Sequence, residues 1–461
     1  MLLHALDDQT IIAQCTPTGS GALALLRLSG VQALAIADAY VQLPASKKIT
    51  QVPSHTVHYG IIKNTQGVLI DQVLCIVMHG PKTFTGQDTV EITCHNNQFI
   101  IEAIIEQAII HGARLAQPGE FTKRAFLHNK LDLVQAEAIN ELIHANTQFA
   151  LKKSLAQLDG SLSHWVHTLE QELLRALAWC EASFEFLDEE TEFGTAIYQQ
   201  LDTILTRIAQ LKVTFDQQQQ IRQGIRIALI GSVNAGKSSL FNALIGQNRS
   251  IVTNLAGTTR DAIEAGIYRN GNYWTLIDTA GLRQATDIIE QEGIKRSFDE
   301  AHKADIILLI FDGSRVLSSQ EQTIYTRLLT DYPHKIILVH NKADLPAAQN
   351  HLLDTTHALL VSAITHNQAL STLEKRIEQK ISTLFNAVES PFLLNKRQYT
   401  LLLALEQKLQ TTQQLLESNS IPYELVSYHL KDALEHISDL TGKSISEASM
   451  DTVFKEFCVG K

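Results

Sequence analysis

Four short stretches carry residue types whose spacing suits chemistry on a phosphate anhydride. The run "GSVNAGKSS" sets Gly231, Gly236, Lys237 and Ser238 at phosphate-loop spacing, directly after the apolar run "IRIALI" and before "LFNALIG". Glycines let backbone N–H groups curl around phosphate, a lysine reaches the β and γ oxygens, and a serine hydroxyl suits Mg²⁺. Alone, this pattern implies only a nucleoside triphosphate. Three more follow in order: "GTTRD" at 257–261, "DTAG" at 278–281 and "NKAD" at 341–344. In that arrangement Asp278 holds the water shell of the metal, Thr259 closes over Mg²⁺ and the γ-phosphate, and Gly281 donates a backbone N–H to that phosphate. Asp344 selects the base, because a carboxylate accepts from both N1–H and the exocyclic amine of guanine, a pair that adenine lacks. "VSA" at 361–363 adds a backbone N–H for the guanine O6. The four motifs together imply GTP.

How hydrolysis would be driven is less plain. The residue after "DTAG" is Leu282, and an apolar side chain cannot orient water. Some other group must neutralise charge between the β- and γ-phosphates, a task done elsewhere by an arginine finger. Asn234 offers a carbonyl oxygen inside the loop, and with oxygens of Thr253, Leu255 and Thr258 it could complete a cage for a monovalent cation. The alternative is that Asn234 only caps the loop.

The elements that must position these residues follow from periodicity. "IRIALIG", "NYWTLIDTAG", "ADIILLIFDG", "KIILVHNKAD" and "HALLVSA" are strand-length apolar runs separated by helix-length segments, the pattern of a parallel sheet in a doubly wound α/β domain. Before them, "LVQAEAINELIHANTQFALKKSLAQLDGSLSHWVHTLEQELLRALAWCEASFEFLDEE" has the three- and four-residue spacing of long packed helices; after them, "QYTLLLALEQKLQTTQQLLE" and "YELVSYHLKDALEHISDLTG" return to helix. Short β-branched runs near the start, with the helical stretch "NQFIIEAIIEQAIIHG", read as a small α+β domain. The expectation is an α+β domain at 1–119, an all-α domain built from 120–218 and 385–461, and a P-loop α/β domain at 219–384 inserted into it, with "QQQQ" at 217–220 as linker.

Composition bounds the function. A net charge of −11 argues against a wholesale electrostatic grip on nucleic acid, so RNA contact would be shared or indirect. Five separated cysteines, an odd number without a CxxC pair, argue against a disulfide framework or structural zinc and fit a reducing cytoplasm. No apolar run reaches the length of a membrane span, so no membrane partner is expected.

The chain resembles the MnmE (TrmE) family of tRNA-modification GTPases, within the TrmE-Era-EngA-YihA-Septin-like group. The resemblance lies in "TPTGSGALALLRLSG", "FTGQDTVEITCHNN", "PGEFTKRAFLHNKLDLVQAEAINELI", "GSVNAGKSSLFNAL", "GTTRD", "DTAGLRQATDIIEQEGI", "NKAD" and "FCVGK", which fall in the family's order and cover nearly the whole chain. It implies a homodimer working as a heterotetramer with MnmG, a flavoprotein carrying FAD. Together they would install an aminomethyl or carboxymethylaminomethyl group on C5 of the wobble uridine of certain tRNAs, using a 5-formyl- or 5,10-methylene-tetrahydrofolate.

It also implies site residues. GTP would meet Asn234, Ala235, Gly236, Lys237, Ser238 and Ser239; Thr253, Asn254, Leu255, Ala256, Gly257, Thr258 and Thr259; Asp278, Thr279, Ala280 and Gly281; and Asn341, Lys342, Asp344, Ser362, Ala363 and Ile364. K⁺ would sit among Asn234, Thr253, Leu255 and Thr258, and Mg²⁺ on Ser238 and Thr259. Lys237, Asn234 and Glu290 would be catalytic, Glu290 orienting the attacking water through a bridging water. The G domains would pair across the nucleotides when K⁺ is bound. Arg27, Glu91, Lys130 and Lys461 would hold the folate in the 1–119 domain, which would also dimerise. Departures from the family pattern are Asn96 and Asn97 in place of two glycines, Gln87 in place of Glu, an irregular "SISEASMDTVF" and no glycine after Ser362-Ala363.

Two other readings share part of this evidence. A ribosome-assembly GTPase would need a basic RNA-binding appendage, yet the segment after the α/β domain reads as helix without a GxxG loop. A folate-binding scaffold would make hydrolysis incidental. At the far end a catalytic thiol at Cys458 stays open although no sequence-near base would activate it, and Gly460 and Lys461 fit prenylation poorly. The reading preferred is a tail folded back on the folate region, with Phe457 packed and Lys461 offered to the ligand.

Overall fold

The computed structural model describes residues 9–184, 190–213, 215, 222, 224–246, 263–279, 297–346, 358–362, 367–386, 390–418 and 420–460. The chain divides into two compact units, one of 1–143, 155–208 and 396–461 and the other of 144–154 and 209–395.

The first unit begins with a sheet whose strand order is β3-β4-β5-β6-β2-β1-β7. Its strands are β1 (Ile11–Gln14), β2 (Leu23–Ser29), β3 (Val41–Gln42), β4 (Thr56–Lys63), β5 (Leu69–Met78), β6 (Thr89–His95) and β7 (Arg114–Leu115). Pairing is antiparallel except between β1 and β7. Alternation sends Ala24, Leu26 and Leu28 of β2 and Val90, Ile92 and Cys94 of β6 to one buried face, where α1 (Ala33–Tyr40) and α2 (Gln98–Ile110) cover them. Arg27 and Glu91 fall by the same alternation on the opposite face. The turn that has Asn96 and Asn97 needs no glycine: Asn97 sits at φ −129° and caps α2 by accepting the Phe99 N–H. Asn96 donates to the Gly19 carbonyl at 2.8 Å.

The rest of this unit is helical: α3 (Glu120–Leu127), α4 (Leu133–Ile143), α6 (Ser161–Ala182), α7 (Glu190–Val213), α11 (Lys396–Leu416), α12 (Tyr423–Thr441) and α13 (Glu447–Phe454), with α5 (Gln148–Leu158) shared in chain assignment with the second unit. The irregular stretch "SISEASMDTVF" forms α13, whose N-cap Ser446 accepts from the Ser449 N–H. α12 packs against α6 and α11. Glu137 of α4 is the main polar tie: Arg397 grips both its oxygens at 2.6 and 2.8 Å, and Gln398 donates to it at 2.7 Å. Both halves of the helical region meet at this buried carboxylate.

The second unit holds a sheet of order β13-β12-β11-β8-β10-β9. The strands are β8 (Ile225–Gly231), β9 (Ile263–Arg269), β10 (Asn272–Asp278), β11 (Ile306–Asp312), β12 (Ile336–Asn341) and β13 (Leu359–Leu360), with helices α8 (Lys237–Gly246), α9 (Ser319–Asp331) and α10 (Asn367–Asn386). The expected apolar runs form β8, β10, β11, β12 and β13. β11 is buried at every position, as a central parallel strand covered on both faces must be. The sheet is mixed where the periodicity suggested a parallel one, because β9 runs antiparallel to β10. Its turn is Asn270-Gly271, at φ 45° and 79°, the residue pair that a two-residue hairpin requires. The segment 144–154 lies with this unit and not with the helices around it: Asn146 accepts from the Tyr273 N–H at 2.8 Å, and Gln148 donates to the Gly271 carbonyl at 2.7 Å. No helix among the described residues is long and apolar enough to cross a membrane.

The Glu137 cluster allows a test of stability. Arg397→Ala leaves a buried carboxylate short of its main partner and should cost about 3–5 kcal/mol in urea unfolding. Lys443→Ala breaks only the exposed pair with Glu170 and should cost under about 1 kcal/mol. Equal losses in the two variants would contradict this account.

Candidate functional site

β8, β11 and β12 are parallel, so their C-terminal ends open on one edge of the sheet, the edge where such folds bind ligands. There β8 ends at Gly231, and the phosphate-type loop turns into α8. Two conformational demands explain the loop glycines. A Cβ on Gly231 would collide with the Ile310 carbonyl, and Gly236, at φ 92°, would drive one into the Asn341 amide. Asn234 also has a left-handed backbone, φ 62°, which asparagine tolerates better than most residues. There is thus a backbone reason for asparagine at 234 besides any ligand.

Lys237 is buried, and its ammonium donates to the Gly231 and Ser232 carbonyls at 2.6 and 2.7 Å. Ser238 and Ser239 are exposed in the first turn of α8, as is Asn234 in the loop. Asp278 closes β10 in register with Leu229, almost fully buried, and Thr279 donates to the Leu229 carbonyl at 2.8 Å. The structure therefore brings Asp278 and Thr279 to the strand that leads into the loop.

The base-type loop follows β12. Asn341 is 2% exposed and donates from Nδ2 to the Ala235 carbonyl at 2.8 Å, while its Oδ1 is buried without a partner among the described residues. Lys342, at φ 61°, donates to Asp312 at 2.6 Å. Burial raises the Asp312 carboxyl, but the Lys342 ammonium and the Ser314 hydroxyl and N–H outweigh it and leave it below the usual carboxylate range. Asp344 is exposed. The Ala343 N–H donates to the Val361 carbonyl at 3.2 Å and the Val361 N–H to the His340 carbonyl at 2.8 Å, which sets the buried Ser362 beside this loop.

A second set was not legible as functional in the sequence. Tyr325 accepts from the Ser232 N–H at 2.8 Å, and Arg315 donates to Ser232 Oγ at 3.3 Å while gripping Glu321 at 2.9 and 2.5 Å. Glu321 also completes a capping box with Ser318; that Ser-x-x-Glu spacing was the one signal available.

The residues associated with folate form another group. Arg27 and Glu91 stand directly opposite on β2 and β6 and pair at 2.8 Å. The guanidinium lies 5.7 Å from the Phe84 ring centroid and 5.5 Å from that of Phe121. Lys130 reaches the Pro81 carbonyl, so Arg27 and Lys130 both meet the loop 80–87. Phe457 is buried against Phe454, and the Cys458 carbonyl accepts from the Gly119 N–H at 3.3 Å. Thr253, Asn254, Leu255, Ala256, Gly257, Thr258, Thr259, Ala280, Gly281, Glu290, Ala363, Ile364, Lys461 and the segment 217–220 lie outside the described residues.

The described geometry joins a phosphate-type loop, a strand-end carboxylate and a base-type loop. Residues 10–130 match the model described as "GTP-binding protein TrmE N-terminus", and residues 133–458 match the "MnmE helical domain". The chain belongs to the MnmE family. Relatives called tRNA modification GTPase MnmE include one from Geobacillus thermodenitrificans, 38% identical over 470 residues, covering 99% of this chain and 100% of the relative. The one from Enterococcus faecalis is 37% identical over 469 residues, covering 99% of each. That from Geobacillus kaustophilus is 36% identical over 464 residues, covering 99% of this chain and 100% of the relative. The MnmE match thus runs through both units.

Glu321 supplies a pH test for this MnmE member. The Arg315 guanidinium lowers its carboxyl from 4.5 to about 2 in spite of burial. A depressed carboxylate contributes stability above its unfolded pKa and loses it as pH falls through the folded one. Melting temperature should therefore drop between about pH 4.5 and 2 less steeply in Glu321→Gln than in the wild type. Superimposable pH profiles would show that the pair carries no such linkage.

Proposed function

We propose that this chain is a K⁺-stimulated GTPase that modifies the wobble uridine of certain tRNAs at C5. It acts as a homodimer and, with the flavoprotein MnmG and its FAD, installs the aminomethyl or carboxymethylaminomethyl group from a tetrahydrofolate one-carbon unit. What carries the reading is the tie between the phosphate-type and base-type loops through Asn341, in a chain that aligns end to end with relatives named tRNA modification GTPases. The GTPase work falls to 219–384, the folate chemistry to 1–119, and the helical segments 120–218 and 385–461 connect them.

In this reading the chain's residues divide the chemistry. Lys237, fixed by two loop carbonyls, keeps its ammonium where the β and γ oxygens of GTP come to rest. Asn341 steadies the phosphate loop while its Oδ1, without a partner among the described residues, and the exposed Asp344 would meet guanine. Ser238 and Asn234 present exposed oxygens, the hard donors that Mg²⁺ and K⁺ require. Ser238 with Thr259 would hold Mg²⁺, and Asn234 with Thr253, Leu255 and Thr258 would hold K⁺. When bound, the cations supply positive charge where it develops between the β- and γ-phosphates. Glu290 would orient the water that Leu282 cannot. In the other site, Glu91 suits the guanidine-like edge of a pterin, and Arg27, Lys130 and Lys461 suit the glutamate tail.

Two measurements test this. GTP turnover in NaCl should fall on the order of 100-fold below that in KCl, the scale of removing one preorganised charge-stabilising group; equal rates would eliminate the cation cage. Mass spectrometry of tRNA from cells lacking the gene should show the C5-substituted wobble uridines gone. Retention of those nucleosides would overturn the proposed role.

A further inference from the structure

The phosphate-type loop is gripped at Ser232 by two residues from the segment after β11. Tyr325, 2% exposed, accepts the Ser232 N–H at 2.8 Å and donates its own O–H to the Ile310 carbonyl at 3.0 Å. That carbonyl is the one against which Gly231 is packed without room for a Cβ. Burial pushes the Tyr325 hydroxyl up from its ordinary value, so it keeps the proton it donates. A second contact meets the same loop residue, Arg315 at Ser232 Oγ. Arg315 Nε lies 3.9 Å from Asp312 Oδ2, the oxygen that receives Lys342. Polar contacts thus run without a break from Lys342 in the base-type loop to Ser232 in the phosphate-type loop.

We infer that residues 312–325 form a positioning element that holds the two nucleotide loops in mutual register, with Tyr325 and Arg315 as its paired grips on Ser232. The inference rests on the GTPase reading above. The physical argument is one of orientation. Anion binding by a loop depends on where its N–H groups point, and fixing Ser232 by both backbone and side chain fixes the start of the curl that aims those that follow. Arg315 holds Glu321 with two of its guanidinium nitrogens and uses the reach that remains to contact Ser232. Because the loop holds GDP and GTP alike, the element acts on binding of both, in the ground state and the transition state equally.

Tyr325→Phe keeps the buried ring and removes only the hydroxyl, while Arg315→Gln removes the charge that spans Asp312, Glu321 and Ser232. In the full chain, each variant should weaken binding of fluorescent mant-GDP and mant-GTP about 10-fold, the scale of one lost hydrogen bond. The KM for GTP should rise in step with kcat little changed, as expected for loss of uniform binding. The nucleotide-free melting temperature should stay near wild type in Tyr325→Phe and fall modestly in Arg315→Gln, which also loses the Glu321 pair, and Arg315→Lys should bind better than Arg315→Gln. Wild-type affinities in both Tyr325→Phe and Arg315→Gln would overturn the inference, as would an affinity loss in Tyr325→Phe that tracks a fall in its nucleotide-free melting. A wild-type chain that neither binds nor turns over GTP would instead overturn the GTPase reading beneath it.

Discussion

One hydrogen bond, from Asn341 Nδ2 to the Ala235 carbonyl, joins two loops 106 residues apart in the chain. It is possible only because the β8, β11 and β12 run parallel and end on one edge, so that the loops after β8 and β12 emerge side by side. Its geometry dictates neighbours on both sides. Gly236 must lack a side chain because the Asn341 amide fills the space a Cβ would take. Gly231 must lack one because β11 approaches through the Ile310 carbonyl. The glycines of the loop are thus demanded by packing in this protein as well as by any phosphate. Tyr325 uses the remaining reach of that same carbonyl, so β11 serves as the rigid back wall against which the loop is set.

The opposite side of this sheet shows how a local turn redirects topology. Asn270-Gly271 folds β9 back along β10, and the turn leaves the Gly271 carbonyl and Tyr273 N–H for residues 146–148, which pair with them. Without the hairpin that segment would have no edge to join. β10 runs from this pairing to Asp278, so the strand that ends beside the phosphate loop is anchored at its start by the segment that leads into α5.

Much of this was legible because it depended on short-range pattern. Strand runs, the loop glycines and the Asn-Lys-x-Asp spacing are local, and β8, β10, β11, β12 and β13 appear where apolar periodicity places them. What escaped depended on distant partners. The antiparallel course of β9 is fixed by its turn, a signal present in "RNGNYW" but outweighed by the parallel pattern around it. Residues 144–154 sit within a run that reads as continuous helix; backbone pairing with β10 and the packing of Ala145, Phe149 and Ala150 on the core of the α/β unit move them there, and neither partner is visible in the local side-chain period. Tyr325 and Arg315 belong to an ordinary amphipathic helix and the turn before it, and nothing in their spacing reveals that both aim at Ser232. The Arg27–Glu91 pair shows the converse. Each alone reads as a surface charge, and it is strand register that sets them face to face between Phe84 and Phe121.

The tail residues show the same dependence on distance. Cys15 donates from Sγ to the Gly460 carbonyl across 445 positions, and Gly460, at φ 94°, has no room for a Cβ against the Gln14 carbonyl. Gly119 is likewise packed against Phe454 and Phe457 while its N–H donates to the Cys458 carbonyl. Backbone contacts and the Phe457 ring thus hold the tail, in which the Cys458 side chain is exposed. Contacts of such sequence separation carry the largest loop-closure cost. The α/β unit, mostly contiguous over 209–395, needs none of them for its own core. Tail and loop 80–87 belong to one unit, and the docking that Gly119 and Gly460 permit is a matter of backbone fit: a side chain at either position would press on residues 454–457 or on Gln14 and Cys15.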